Sequence, residues 1–171
     1  MAPPPPQQVQ TFAQQPQPTA QNSLYVELGG SSLFYSINYE RFLQPDVAVR
    51  VGFSFISVSA SAGTGMDMSS ANVTWATVPI MAEYLGLHSG PHALELGAGL
   101  DMMYFSGKSS TFEATASASG VTPIPAANIG YRYSDPRGGF IFRAAYTPLF
   151  IVTGDQKQMV SWAGLSFGYR F

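Results

Sequence analysis

Val160 to Phe171 reads V-S-W-A-G-L-S-F-G-Y-R-F. From Leu165 onward it alternates strictly: Leu165, Phe167, Tyr169 and Phe171 share one face, and Ser166, Gly168 and Arg170 share the other. A period of two marks a β-strand whose two sides meet different environments. Here the large apolar side chains are opposed by Gly, Ser and one Arg, not by a charged solvent face. The sequence also ends on an aromatic residue, where soluble domains usually fray into polar ones.

Upstream, seven more segments repeat this pattern. Leu24–Gly30 sets Leu24, Val26 and Leu28 against Tyr25, Glu27 and Gly29, and a Gly-Gly-Ser-Ser turn leads to Leu33–Phe42. Val47–Ile56 places Val49, Val51, Phe53 and Phe55 opposite Ala48, Arg50, Gly52 and Ser54. Val73–Leu85, His92–Tyr104, Ala126–Tyr133 and Gly139–Phe150 follow in the same style. Pro45-Asp46, Gly86–Pro91 and Ser134–Gly138 make short turns, whereas about 57–72, 105–125 and 151–159 read as long polar loops. Pro79 and Pro148 fall within strands, where each removes a ladder hydrogen bond and calls for a bulge or a local break. Residues 1–22, uncharged and rich in Pro and Gln, read as a disordered arm ahead of a single domain at 23–171.

Composition narrows the class. Charged residues are 11% of the 171, against ~25% in soluble domains, while aromatics reach 13% and there are 17 Gly. No apolar run approaches the ~20 residues of a membrane helix. A net charge of −2 without any Lys/Arg cluster excludes a nucleic-acid surface. With no Cys there is neither a disulfide framework nor a thiolate metal site.

The placement of charge decides between a soluble and a membrane barrel. A soluble eight-stranded barrel turns its apolar face inward and its charges outward. Here Glu27, Glu40, Arg50, Glu83, Glu95, Asp101, Arg132, Arg143 and Arg170 all share the face of Gly, Ser, Ala and Asn. Only Arg41 has the other parity, at a strand end where it can snorkel. An Arg or Lys facing lipid at the bilayer midplane costs ~2–4 kcal/mol, which explains the exclusion. The expected fold is therefore all-β: an eight-stranded, antiparallel, up-and-down transmembrane barrel with an apolar exterior and a polar lumen. Five acids and four bases in a narrow bore are expected to pair, because an unpaired buried charge costs several kcal/mol. By strand position all but Asp101 fall in the half nearer the short turns, so a salt-bridge network should plug that half beneath an upper half lined by smaller residues. Tyr39, Tyr84, Tyr131 and Tyr133 form an aromatic girdle on the short-turn side; Phe53, Phe55, Tyr104 and Phe150 suit the opposite one. Trp75 and Trp162 point inward by parity.

The segments L-Y-V-E-L-G-G, N-Y-E-R-F, R-V-G-F-S-F, L-E-L-G-A-G-L, I-G-Y-R-Y and L-S-F-G-Y-R-F together resemble the small eight-stranded bacterial outer-membrane barrels of the OmpA/OmpX-like superfamily. The resemblance covers Leu24 to Phe171. It implies a Gram-negative outer membrane with lipid and lipopolysaccharide as surroundings, short turns and the N-terminal arm in the periplasm, and long loops outside. It also implies that Leu165, Phe167, Tyr169 and Phe171 serve as the signal read by the barrel assembly machinery. No secretory leader is present, so numbering after leader removal, with Met1 added, is the expectation. Family roles include anchors, adhesins, narrow channels and assembly subunits; a protein partner would meet the arm or the long loops.

Catalysis is not expected. His88 and His92 flank a short turn, and no other His is available as a general base. The pair lacks a nearby carboxylate for a metal site, and acidity around Asp67 is too sparse for calcium. No cofactor is expected. The leading function is a plugged structural or interaction protein; the alternative is a narrow channel or transporter for small or lipophilic solutes.

Overall fold

A computed structural model describes residues 20–32, 34–63, 69–110, 115–153 and 156–171. The arm at 1–19, Leu33 and Asp67 lie outside these described residues. Eight strands follow in order: β1 (Asn22–Gly29), β2 (Tyr35–Gln44), β3 (Val47–Ala62), β4 (Ser69–Ser89), β5 (His92–Ser110), β6 (Thr115–Ser134), β7 (Gly139–Thr153) and β8 (Gln156–Arg170). Each pairs antiparallel with its neighbours, and β8 closes on β1 through Leu24↔Tyr169, Val26↔Phe167 and Leu28↔Leu165. Closure leaves no free edge along the ring at this level, the requirement for spanning hydrocarbon with strands. The fold is the eight-stranded antiparallel up-and-down transmembrane barrel that the alternation specifies.

Side-chain direction follows parity. Leu165, Phe167, Tyr169 and Phe171 face outward, between 46% and 60% exposed, beside equally exposed Leu24, Val26, Val51, Ile80, Ile129 and Phe140. Of the four tyrosines expected to form the turn-side girdle, Tyr39, Tyr84 and Tyr131 are exposed and Tyr133 is half-buried against the His92 ring, 5.3 Å between centroids. His92 Nδ1 and the Tyr131 hydroxyl share a hydrogen bond of 2.6 Å, which ties this His to the row of outward tyrosines.

Three expectations change. The stretches at 57–72, 105–125 and 151–159 are mostly strand, not loop. The β3–β4 ladder continues to Ala62↔Ser69, β5–β6 to Ser110↔Thr115 and β7–β8 to Thr153↔Gln156. Strand β4 reaches 21 residues, about twice the ~9–11 needed to cross a bilayer. Above the apolar belt both faces of a ladder meet water, so Ser, Thr and Ala pair without any alternation to betray them. Second, the Gly-Gly-Ser-Ser connection is a buried 3-10 turn, η1 (Gly30–Ser32), folded into the bore against β4, β7 and β8. Gly30 has φ +69, and a β-carbon there would collide with the Glu27 carboxylate, so only glycine fits. Third, the upper lumen is lined not by small residues but by buried Met81, Ile124, Ala126 and Leu149, packed with Met103, Ile151 and Trp162.

Pro79 sits where the β3–β4 register passes from Val51↔Ile80 directly to Ser54↔Thr77. Trp75 is half-buried on the inner side and packs on Phe105 at 5.8 Å.

The belt and the polar extension should respond differently to the same charge. Ile129→Arg at mid-belt is expected to cost about 2–4 kcal/mol of folding stability, and Val58→Arg in the β3 extension about 0–1. Denaturant titration of vesicle-refolded protein measures both; equal costs would contradict the position of the belt.

Candidate functional site

Eight strands enclose a bore just wide enough for side chains to fill, and inward parity brings residues distant in sequence to one level. Glu27 comes from β1, Glu40 from β2, Arg50 from β3, Glu83 from β4, Glu95 from β5, Arg132 from β6 and Arg143 from β7; all are 0–2% exposed. Arg143 is the hub. Its Nη1 donates to Glu27 Oε1 at 2.6 Å, its Nε donates to Glu95 Oε1, and its Nη2 lies 3.8 Å from Glu83 Oε1. Arg50 Nη1 donates to Glu27 Oε2 at 3.1 Å, and its Nε is ion-paired with Glu83 Oε1 at 3.0 Å. Arg132 Nη2 donates to both Glu40 oxygens at 2.9 and 2.8 Å and its Nε lies 3.4 Å from Glu95 Oε2.

Neutral side chains complete the layer. Asn128 Nδ2 donates to Glu95 Oε1 at 2.7 Å, Ser36 Oγ donates to Glu27 at 3.4 Å, and the Arg132 guanidinium lies over the Tyr25 ring at 5.9 Å. Gly97 leaves the room taken by Glu83 and Asn128; a β-carbon there would overlap both. Four carboxylates and three guanidinium groups thus interlock across the bore, with η1 folded above them. Charge-assisted hydrogen bonds in so dry a place are strong in situ, and their loss would leave uncompensated charge.

Two of the nine inward charges stand outside these ion pairs. Asp101 is fully buried one level higher, and neither carboxylate oxygen has a hydrogen-bond partner among the described residues. Arg170 lies at the short-turn mouth. Its Nε donates to the Ala20 carbonyl at 2.9 Å, its Nη1 donates to Ser134 Oγ at 3.4 Å, and its guanidinium covers the Phe42 ring at 3.7 Å. Phe42 packs with Ala48, Leu85 and Ala93 below the charge layer. A cavity of about 530 Å³ opens at this mouth, lined by Phe42, Leu85, His88, Arg132, Ser134 and Arg170. At its rim Arg137 donates Nη2 to Asp135 at 2.8 Å and holds that carboxyl down to about 2, so the turn pair persists until the pH falls through that value. His88 meets Asp46 at 3.5 Å on the exposed turns, and no metal-binding group of three His, Cys, Asp or Glu occurs among the described residues.

Fold and layer together define a small transmembrane barrel with an ion-paired bore. Comparison with solved structures agrees on the fold. Ail, the attachment invasion locus protein of Yersinia pestis, in complex with the heparin analogue sucrose octasulfate, superposes with a TM-score of 0.59 at 15% identity, covering 89% of this chain and 99% of Ail. A second Ail crystal structure gives 0.53 over the same shares, again at 15% identity. The N-terminal β-barrel domain of Pseudomonas aeruginosa OprF gives 0.53 at 17% identity, covering 89% of this chain and 99% of that one. At such identities the likeness is one of fold. No family model and no curated protein matches the chain.

Arg143→Met leaves Glu27 and Glu95 short of their main partner and is expected to cost about 3–5 kcal/mol. Asp101→Asn, which breaks no ion pair, is expected to cost little or to stabilise. Urea midpoints of the two variants check the contrast, and equal losses would mean that the layer is not a coupled unit.

Proposed function

We propose that the chain is an outer-membrane barrel closed by its charge layer, acting as a membrane anchor and display scaffold and fit to serve as a subunit of an envelope assembly. The observation that carries this reading is the interlocking of Glu27, Glu40, Glu83 and Glu95 with Arg50, Arg132 and Arg143. An ion crossing the bore would have to break several buried pairs at once, each at several kcal/mol. The layer spans β1 to β7, so no single strand can move to open it.

Topology supports the remaining assignments. Both described chain ends lie at the short-turn end, where Asn22 N–H donates to Phe171 O at 2.9 Å and Phe171 N–H returns a bond of 2.8 Å. Short turns face the periplasm in barrels of this kind, which supports a periplasmic Pro/Gln arm and an outward-directed β3–β6 sheet. The outward row Leu165, Phe167, Tyr169 and Phe171 is available to the assembly machinery, and the apolar belt to lipid and lipopolysaccharide. By sequence, the stretches 57–72, 105–125 and 151–159 hold Lys108 and Lys157 against Asp67, Glu113 and Asp155. That balance suits a polar protein surface as partner, not a sulfated polyanion like the one bound to Ail. The reading is non-catalytic, since both His sit at the short-turn end in girdle and turn contacts.

Planar-bilayer recording tests it. Refolded protein, shown folded by heat-modifiable migration on an unboiled gel, is expected to be electrically silent. Steady conductance that changes in Arg143→Ala or Glu95→Ala would replace this reading with the narrow channel.

A further inference from the structure

The ladder between β6 and β7 stops early. Its outermost pair is Ala126↔Leu149, and no β6–β7 pair exists beyond it among the described residues, although β6 continues to Thr115 and β7 to Thr153. Each strand stays bonded on its other side, β6 to β5 and β7 to β8. The break therefore belongs to this one junction.

Hydrogen-bond parity explains it. Ser134 N–H donates to Pro91 O at 2.8 Å, on the β5 side. Successive residues of a strand bond alternately to the two neighbours, and the β5–β6 register is regular from Tyr133 to Thr115. Even-numbered β6 residues thus bond towards β5 and odd-numbered ones towards β7. Pro123 and Pro125 consequently turn nitrogens without hydrogen towards β7. Tyr133 is opposite Phe142, so even-numbered β7 residues face β6, and Pro148, opposite Ala127, presents a third such nitrogen to the same junction just short of the last pair, where the register skips from Ile129↔Tyr146 to Ala126↔Leu149. Two of the donors that would zip the stretch beyond Ala126 do not exist, and a third is missing at its base.

Both lips of the seam are apolar. Val121, Pro123, Pro125, Phe150 and Val152 line its outer side, with Val121 61% and Val152 57% exposed, and Pro125 and Phe150 adjoin the outer end of the exposed belt. Directly inside lies the cluster of Met81, Ile124, Ala126 and Leu149 with Met103, Ile151 and Trp162. The charge layer shuts this compartment off from the short-turn end. Its apolar wall is thus continuous, through the seam, with the hydrocarbon that the belt contacts.

We propose that the β6–β7 seam is a lateral opening through which one acyl chain of a membrane lipid enters the upper lumen and lies against Met81, Met103, Ile124, Leu149, Ile151 and Trp162. Phe150 marks the outer end of the belt, so the lipid headgroup stays at the interface beside the freed backbone groups while the chain fills the compartment. The proposal rests on the barrel lying in a membrane.

With only two Trp in the chain, Trp75→Phe leaves Trp162 as the sole reporter inside the lumen. The probe is phosphatidylcholine brominated on one acyl chain, compared with its unbrominated form in refolded vesicles. An outward control, Phe150→Trp in a Trp75→Phe, Trp162→Phe background, reports direct lipid contact. Trp162 is expected to be quenched as strongly as the control. Restoring the donors with Pro123→Val, Pro125→Val and Pro148→Val should abolish most of that quenching; Pro125→Val alone, should the triple variant not fold, should reduce it. An unquenched Trp162 beside a quenched control overturns the proposal, as does quenching that the proline replacements leave unchanged. Quenching of Trp162 by aqueous iodide in place of bromine marks a hydrated lumen and also overturns it. An unquenched control overturns the membrane reading itself.

Discussion

Hydrocarbon solvates neither a charge nor an unpaired peptide group, and most of this molecule follows from that constraint. Backbone groups must bond to neighbouring strands, so the sheet closes. Outward side chains must be apolar, so nearly every strand charge is forced into the bore. A bore of eight strands has no room for a water column around each ion, so the charges neutralise one another. Arg143 condenses this logic: one guanidinium draws carboxylates from β1, β4 and β5 to itself on β7. The arrangement is a consequence of where charge cannot go, and it ties the strands across the barrel as well as around it.

The two halves of the lumen are therefore different materials. Below, ion pairs and the folded-in η1 fix the geometry through directional contacts. Above, Met81, Ile124, Leu149 and Trp162 pack without direction, and Asp101 is held between the two regimes. Methionine side chains adapt to irregular space, so this compartment tolerates changes of content that the charge layer would not.

Much of this was legible in the sequence because a period of two records two unlike environments. Leu165 to Phe171 announces a strand between lipid and lumen, and the shared parity of nine charges announces which side is which. Legibility ended where the environments became alike. Ser57–Ala62 and Thr115–Ser119 form strands with water on both sides, so no alternation marks them. Pairing was also beyond reach: Arg132 and Glu40 are 92 residues apart, and only register decides that they meet while Asp101 and Arg170 remain outside the ion pairs. The inward fold of Gly30–Ser32 depends on space above Glu27 that no local pattern encodes.

Proline shows the same limit in sharper form. The residues were visible, but a proline in a strand damages only the ladder its nitrogen faces, and that side is set by hydrogen-bond phase, not by side-chain parity. Here the Ser134 to Pro91 bond fixes the phase, and Pro123, Pro125 and Pro148 converge on a single junction. Scattered over several ladders, they would weaken the whole barrel; together they spare every other one. The register first skips at Pro148, between Ile129↔Tyr146 and Ala126↔Leu149, and pairing ends for good only beyond Ala126 and Leu149, towards the outer end of the belt, where freed peptide groups can reach the interface instead of costing several kcal/mol each in hydrocarbon. A barrel cross-braced below by its charge layer can keep such an opening above without losing closure.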